Sequence, residues 1–261
     1  MHVIFLKPVK ILSSQGKEGA PFISIVIPVH NEAENVRQLA EELKAVLSTT
    51  TYESEVIFVD DVSIDNTAEV LNQLKDANSF VKVILLEERG GQTGCYQAAF
   101  QEARGKYIIR MDGDLQDDPK DLVNFFDLIG EEPDIIMGLR QIRRHHRILR
   151  LATMIYDMLI LILFNSPFNT NSSSFIAFKA KFVQGIKLRS NDHRYLPLIA
   201  MHRGASNLKE VIVNNRNRIH GRTKYGYYTK FILGIPEVLR FLLRLRFGYY
   251  HKLDDFSGDI N

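Results

Sequence analysis

Asp112-Gly113-Asp114, with Gln116 two residues further on, is the group in this 261-residue chain whose types and spacing most directly imply chemistry. Two carboxylates around a glycine, plus an amide oxygen, make an oxygen-only donor set. That set suits a hard divalent cation, and Mg²⁺ in particular keeps part of its shell for water and substrate phosphates. Taken alone, the same residues also read as a solvated acidic turn. A second pair, Asp60-Asp61, can bind a ribose or the imino edge of a base, or cap a turn, because Ser63-Ile64-Asp65-Asn66-Thr67 behind it is good turn chemistry. Gly90-Gly91-Gln92-Thr93-Gly94 can cradle a phosphate or simply bend the chain. It is neither a GxGxxG fingerprint nor a Walker A loop, which excludes those two nucleotide-binding classes. Arg140, Arg218 and Lys224 can clamp phosphates, the arginines by forked hydrogen bonds and the lysine as a point charge, or be surface charges. His145, His146, His220 and Cys95 lack the spacing of a metal cluster, and no Ser-His-Asp arrangement has a supporting context.

The elements that must position these groups follow from hydrophobic periodicity. Residues 22–27, 55–59, 81–86, 107–111 and 134–138 are short β-branched or apolar runs, each a predicted buried strand. Between them lie helical patterns: Val36, Leu39, Leu43 and Val46 on one face, then Val70, Leu71 and Leu74, then residues 95–104 and 118–129. Asn31 with Glu34 is the expected capping pair of the first helix, and Asp118 with Pro119 opens the fourth. Strands alternating with helices mean βαβ units and a mostly parallel α/β sheet, which binds ligands at the carboxyl ends of its strands. Asp60 and Asp61, Asp112 and Asp114, and Arg140 all follow such ends. Beyond residue 140 the alternation breaks, with edge strands expected at 175–178 and 209–213.

Composition bounds the rest. With 45% hydrophobic and 25% charged residues the chain has a full core. A net charge of +2 gives no ground for a nucleic-acid partner. One cysteine excludes an internal disulfide framework and fits a reducing compartment. Residues 1–20 read as a loose arm without a signal peptide, and the apolar run 151–164 falls short of the about 20 residues that span a bilayer. That run, flanked by Arg143–Arg150, and the basic-apolar segment 227–250 read either as membrane-interface helices or as a core helix beside a basic surface helix.

The order of these pieces is more specific than any one of them. Ile27-Pro28-Val29-His30-Asn31-Glu32, Val59-Asp60-Asp61-Val62-Ser63-Ile64-Asp65, Gly91-Gln92 and Met111-Asp112-Gly113-Asp114-Leu115-Gln116-Asp117-Asp118-Pro119 resemble the family 2 glycosyltransferases of the GT-A fold. Gly138-Leu139-Arg140 and Arg218-Ile219-His220-Gly221-Arg222-Thr223-Lys224-Tyr225 are similar to the dolichyl- and undecaprenyl-phosphate sugar transferases among them. The resemblance spans residues 22–225 and implies a GT-A domain at 21–225, with a basic amphipathic helix and tail at 226–261. It implies that Pro28, His30, Glu32, Val59, Asp60, Asp61, Asp112 and Gly113 bind the nucleotide, and that Asp112, Asp114 and Gln116 hold Mg²⁺ or Mn²⁺. Asp114, Arg140, Arg218 and Lys224 would carry the transfer by contacting metal and phosphates. The implied activity is inverting transfer of a sugar from a nucleotide-sugar donor to a lipid-phosphate acceptor, by a cytoplasmic protein peripherally attached to the membrane surface, alone, with a membrane-protein partner or as a homo-oligomer. A soluble glycan acceptor and a non-catalytic sugar-nucleotide-binding subunit are the competing readings. The non-catalytic reading is motivated by Asn169-Thr170-Asn171-Ser172-Ser173-Ser174-Phe175-Ile176, which replaces a run containing an acid and an arginine; a further departure is Arg110, which stands where such relatives carry a small or apolar residue.

Overall fold

Ile-Ser-Ile-Val-Ile-Pro-Val at Ile23–Val29 is buried almost throughout, a pattern that only a strand covered on both faces can satisfy. In the computed structural model, which describes residues 10–13, 20–140, 158, 160–164, 166–168, 173–216 and 227–251, this run is the central strand β2. The other strands are β1 (Lys10–Ser13), β3 (Ser54–Asp60), β4 (Val81–Leu85), β5 (Tyr107–Arg110), β6 (Ile135–Arg140), β7 (Ile176–Lys179) and β8 (Leu208–Val213). The helices are α1 (Ala33–Leu47), α2 (Thr67–Ala77), α3 (Gly91–Glu102), α4 (Leu122–Ile129), α5 (Leu196–His202) and α6 (Tyr227–Arg246).

The sheet runs β1-β4-β3-β2-β5-β7-β6-β8. β4, β3, β2 and β5 are mutually parallel, as are β6 and β8, while β7 enters antiparallel between β5 and β6. Alternate residues of each strand serve opposite faces. Ile25, Ile27, Val56 and Phe58 pack beneath α1, α2 and α4, whereas Val26, Ile57 and Val59 pack beneath α3, α5 and α6. Inside α1, Val36, Leu39, Ala40 and Leu43 give the buried stripe expected of a helix lying on a sheet.

Four expectations need correction. Strand β7, expected at the sheet edge, lies inside the sheet, paired with both β5 and β6. The arm is not loose throughout, since Lys10–Ser13 pairs antiparallel with β4 as an edge strand. Helix α3 begins at Gly91 rather than residue 95, with Gly91 in the left-handed region (φ 60°) behind the Gly90 cap, a backbone that glycine adopts without strain. Strand β2 runs through Pro28 rather than stopping there. The Val29 carbonyl accepts from Asp61 N on the β3 side, and the Val26 carbonyl accepts from Met111 N on the β5 side. Pro28 therefore faces β5, whose last paired residue is Arg110 opposite Val26, so its missing N–H breaks no ladder bond.

Candidate active site

The loops that leave β2, β3 and β5 each contain one non-glycine residue in the left-handed region: Asn31 (φ 55°), Val62 (φ 55°) and Leu115 (φ 61°). For β-branched Val62 this is a strained conformation, and strain of this kind gathers at functional sites. The first two loops are tied together. Asn31 N donates to Ser63 Oγ (2.9 Å), and Asn31 Oδ1 accepts from Ile64 N (2.9 Å). Asn31 thus does not cap α1. Glu32 occupies the cap position, and its N–H is satisfied by Thr67 Oγ1 from α2 (2.9 Å).

Asp60 accepts from Ser63 N (3.2 Å) and from the Ser63 hydroxyl, closing its own turn. Asp61 reaches the other way. Its Oδ1 accepts from Gly90 N (2.7 Å) and Gly91 N (3.1 Å), and its Oδ2 faces Arg89 Nε at 3.0 Å. The glycine turn therefore presents its amides to an aspartate, not to an open phosphate cradle, and the carboxylate sits favourably at the start of α3. Arg89 also contacts the His30 ring. Pro28 pairs in register with Val59, whose side chain is fully buried in the core beneath α3 and supports this loop from below.

The metal-type loop is built with equal care. Gly113 lies where a Cβ would come within 2.7 Å of Val29 Cγ1 and 3.1 Å of the Pro28 carbonyl, so only glycine lets the loop rest on the end of β2. Asp112 N donates to Asp117 Oδ2 (2.9 Å), and Gln92 Nε2 donates to Asp112 Oδ1 (3.3 Å). Asp117 is fully buried, and its charge is met by Arg140 Nη2 at 3.0 Å and by the Ser174 hydroxyl at 2.9 Å. Asp114 Oδ1 accepts from Gln116 N (3.2 Å). Asp118 caps the following 3-10 turn through Lys120 N (3.0 Å), with Pro119 behind it as expected.

Burial, reinforced by repulsion from Asp117 and Asp114 and only partly offset by Arg110 and Arg140, pushes the Asp112 carboxyl up to about 6. This corner carries more negative charge than its arginines neutralise. Among the described residues no group of three or more His, Cys, Asp or Glu side chains forms a protein-only metal cage. Oxygen donors and surplus negative charge, without such a cage, fit a Mg²⁺- or Mn²⁺-type ion that completes its shell with water and a diphosphate.

Arg110, buried in the last position of β5, is a strut. Its Nε donates to the Ser174 carbonyl (3.0 Å), its Nη1 donates to the His193 carbonyl, and its guanidinium lies 4.9 Å from the Tyr96 ring centre. His193 Nδ1 in turn bonds Thr93 Oγ1 at 2.8 Å, on the first turn of α3 beside Gln92. Burial, then Arg110 and Arg194, hold the His193 imidazole down at about 3, so it is neutral. At the far edge, Arg216 N donates to the Gln116 carbonyl (2.9 Å), and the Arg216 guanidinium bonds Asp118 (2.5 Å) and Glu42 (2.6 Å). Arg218 and Lys224 lie outside the described residues. The structure thus assembles His30, Glu32, Asp60, Asp61, Asp112, Asp114, Gln116 and Arg140 on one sheet edge. Asp117, Ser174, His193 and Arg216 were not singled out from sequence. Asp117 and Ser174 lay only inside longer runs, the aspartate-rich box and the Asn169–Ile176 departure.

The profile of the family described as "Glycosyl transferase family 2" matches residues 24–185. The chain belongs to that family. It is 31% identical over 232 residues to a dodecaprenyl-phosphate galacturonate synthase of Rhizobium johnstonii, covering 84% of this chain and 67% of the relative. It is 28% identical over 207 residues to an undecaprenyl-phosphate 4-deoxy-4-formamido-L-arabinose transferase of Pseudomonas savastanoi, covering 78% of this chain and 61% of the relative. The chain therefore spans about three-fifths to two-thirds of these curated relatives. Among solved structures, glucosyl-3-phosphoglycerate synthase of Mycobacterium tuberculosis superposes with a TM-score of 0.60 at 15% identity, over 89% of this chain and 81% of that one. A Pyrobaculum calidifontis mannosyltransferase gives 0.58 at 14% identity, over 93% of this chain and 73% of that one. These likenesses confirm a GT-A-type fold for this family 2 glycosyltransferase.

Proposed function

We propose that this glycosyltransferase moves a sugar from a nucleotide-diphosphate sugar to a polyprenyl phosphate at the cytoplasmic face of a membrane. The observation that carries the reading is the Asp112-Asp114 loop. It is braced from beneath by Asp117 and Arg140, and joined through Gln116 to Arg216, the last described residue before the basic stretch containing Arg218 and Lys224. The two relatives named above, which act on polyprenyl phosphates by their names, support the acceptor class. The structure of the M. tuberculosis neighbour holds Mn²⁺ and UDP, which is consistent with metal use in this fold.

In this reading Asp112, Asp114 and the Gln116 side chain would hold Mg²⁺ or Mn²⁺ at the donor's phosphate end. When bound, the ion supplies positive charge to the departing nucleoside diphosphate. His30, Glu32, Asp60 and Asp61 line the base and ribose end, with Pro28 and Val59 as its floor. Gly113 lets the backbone approach. Arg140 balances Asp117 and so sets the loop's height, while Arg218 and Lys224 would contact donor or acceptor phosphates. The acceptor phosphate is largely ionised at neutral pH, with a second pKa near ~6, so its oxygen attacks without a strong general base. A bond forms from that oxygen to the anomeric carbon as the bond to the diphosphate breaks, with inversion.

The test is transfer from a panel of labelled UDP- and GDP-sugars into extractable undecaprenyl or dolichyl phosphate, with and without Mn²⁺. Labelled lipid that requires metal is the expected result. Donor consumption without labelled lipid would move the acceptor to a soluble glycan. No donor consumption, and no metal-dependent donor binding, would leave a non-catalytic subunit.

A further inference from the structure

Helix α6 turns two faces outward and inward in a regular pattern. Val238, Phe241 and Tyr250, on the helix and just after it, are buried in the core beneath the sheet. Phe241 stacks on Tyr195 at 4.2 Å and meets Phe164 at 5.4 Å. Leu239, Leu243 and Phe247, spaced four residues apart on the other side, are all exposed, Phe247 at 81%. Phe164 closes the helical residues 160–164, where Leu161 and Ile162 are also exposed, Ile162 at 67%. Phe164 and Phe241 touch on the inner side, so the two helical segments that carry these exposed residues pack against each other. Large apolar groups gathered in this way on a protein surface mark a contact surface rather than scatter.

The charge beside the stripe decides what it contacts. Arg240 and Arg246 are exposed on α6, and the sequence from residue 238 to 251 contains no aspartate or glutamate. Arg244 is the exception that faces inward. It bonds the buried Asp192 at 2.6 Å, and Asp192 also accepts from the Tyr250 hydroxyl and from Arg189 N (2.6 Å). Asp192 immediately precedes His193, whose ring bonds Thr93 on α3 and whose carbonyl is held by Arg110. The exposed stripe is therefore fixed in orientation to the loop edge that carries the site.

We infer that Leu239, Leu243 and Phe247, with Leu161 and Ile162 beside them and Arg240 and Arg246 at their margin, form a face that lies in the interface of an anionic bilayer, held in register with the active site by the Asp192–Arg244–Tyr250 clamp. Apolar side chains dip below the headgroups while arginines meet lipid phosphates, the arrangement by which amphipathic helices bind membranes without crossing them. Among the described residues no helix is long and apolar enough to cross a membrane. The inference rests on the lipid-acceptor reading above and names the surface that brings the enzyme to its acceptor.

The experiment is co-sedimentation of the full chain with phosphatidylglycerol-containing and pure phosphatidylcholine vesicles. Sugar transfer to a water-soluble short-chain prenyl phosphate is measured in parallel. Wild type should sediment with the anionic vesicles only, and Leu243→Asp with Phe247→Asp should cut that binding at least tenfold while leaving transfer to the soluble acceptor unchanged. Arg240→Glu with Arg246→Glu should abolish the anionic preference, and Val123→Asp, an exposed apolar residue on α4, should change nothing. Unaltered vesicle binding in the Leu243/Phe247 variant overturns the inference. So does a wild-type dimer, without vesicle binding, that this variant dissolves, since the face would then pair two copies. Vesicle binding with no transfer to any prenyl phosphate would instead sink the lipid-acceptor reading and leave the docking face standing.

Discussion

Arg140 donates to Asp117 across 3.0 Å, and the other oxygen of Asp117 holds the backbone amide of Asp112 at 2.9 Å. A cation at the end of β6 thus sets the height of the metal loop at the end of β5 through one buried carboxylate. Breaking a buried pair leaves an uncompensated charge, which costs about 3–5 kcal/mol. Asp117→Ala should therefore lower unfolding stability by about 3 kcal/mol in urea titrations and also weaken Mn²⁺-dependent donor binding. A variant of wild-type stability would show that Arg140 finds a new partner and that the loop needs no brace.

The metal loop itself gives a different signature. Asp114 accepts from the Gln116 amide within its own turn, so Asp114→Ala should cost about the 0.5–1.5 kcal/mol of one hydrogen bond. Losing a charge-stabilising group at the reacting centre costs about 10²–10³ in rate. Turnover should fall by at least that factor in this variant, and chelation by EDTA should do the same to wild type. Retained turnover in either case would mean that the ion is held elsewhere.

Much of this was legible in the sequence because it is local. β2, β3 and β5 are unbroken apolar runs, and the Asp112-Gly113-Asp114 loop sits where an α/β sheet puts its ligands. The brace was not legible, since Asp117 meets residues 23 and 57 positions away. Asn31 misled for a related reason. Its type suits a cap, but a left-handed backbone turns its side chain to Ile64, and α1 takes its N-terminal bond from Thr67, 35 residues on. Arg110 looked like a departure within an apolar strand. It proves to be the strut that three separated segments share.

Val62 carries strain that can be relieved. A left-handed backbone costs an ordinary residue about 1–2 kcal/mol relative to glycine, and a β-branched side chain adds to it. Val62 is partly buried and packs against the edge of the core, so the packing lost on shortening it is set against this strain. Val62→Gly should raise stability by about 1 kcal/mol, read as an increase in Tm, even though glycine adds unfolded-state entropy. A fall in Tm would show that the side chain's packing outweighs its backbone strain.

Acid should expose two opposed titrations. His193 is depressed from 6.5 to about 3 when folded, so below pH 6.5 the unfolded chain binds a proton that the native state does not, and stability falls with pH down to about 3. Asp112 is raised from 3.8 to about 6, so between those values the native state holds the extra proton, and this contribution is lost as pH rises through 6. From about pH 4 to 6 the two nearly cancel. Asp112→Asn removes the second and should uncover a decline approaching ~1.4 kcal/mol per pH unit, which His193→Asn in the same background should flatten. A flat profile in Asp112→Asn would show that His193 takes up a proton in the folded state. Since only ionised Asp112 can hold a metal, donor binding should also weaken as pH falls through about 6 in wild type.

Arg110 offers the last test, because its removal separates a strut from an ordinary core residue. Its guanidinium satisfies the carbonyls of Ser174 and His193 and lies over Tyr96, joining β5 to the entry of β7, to the turn that leads into α5 and to α3. Arg110→Met keeps the length and the apolar stem but leaves two carbonyls without this donor, at about 1–3 kcal/mol for each that stays buried and unpaired. Stability should therefore drop by about 2–4 kcal/mol. If the strut also sets the Thr93–His193 contact beside Gln92, kcat should fall while KM for the donor stays within about twofold. Arg110→Lys can reach only one of the two carbonyls as a point donor, and should recover part of the stability but little of kcat. Full recovery by lysine would reduce Arg110 to a buried charge, with no part in aligning the loop.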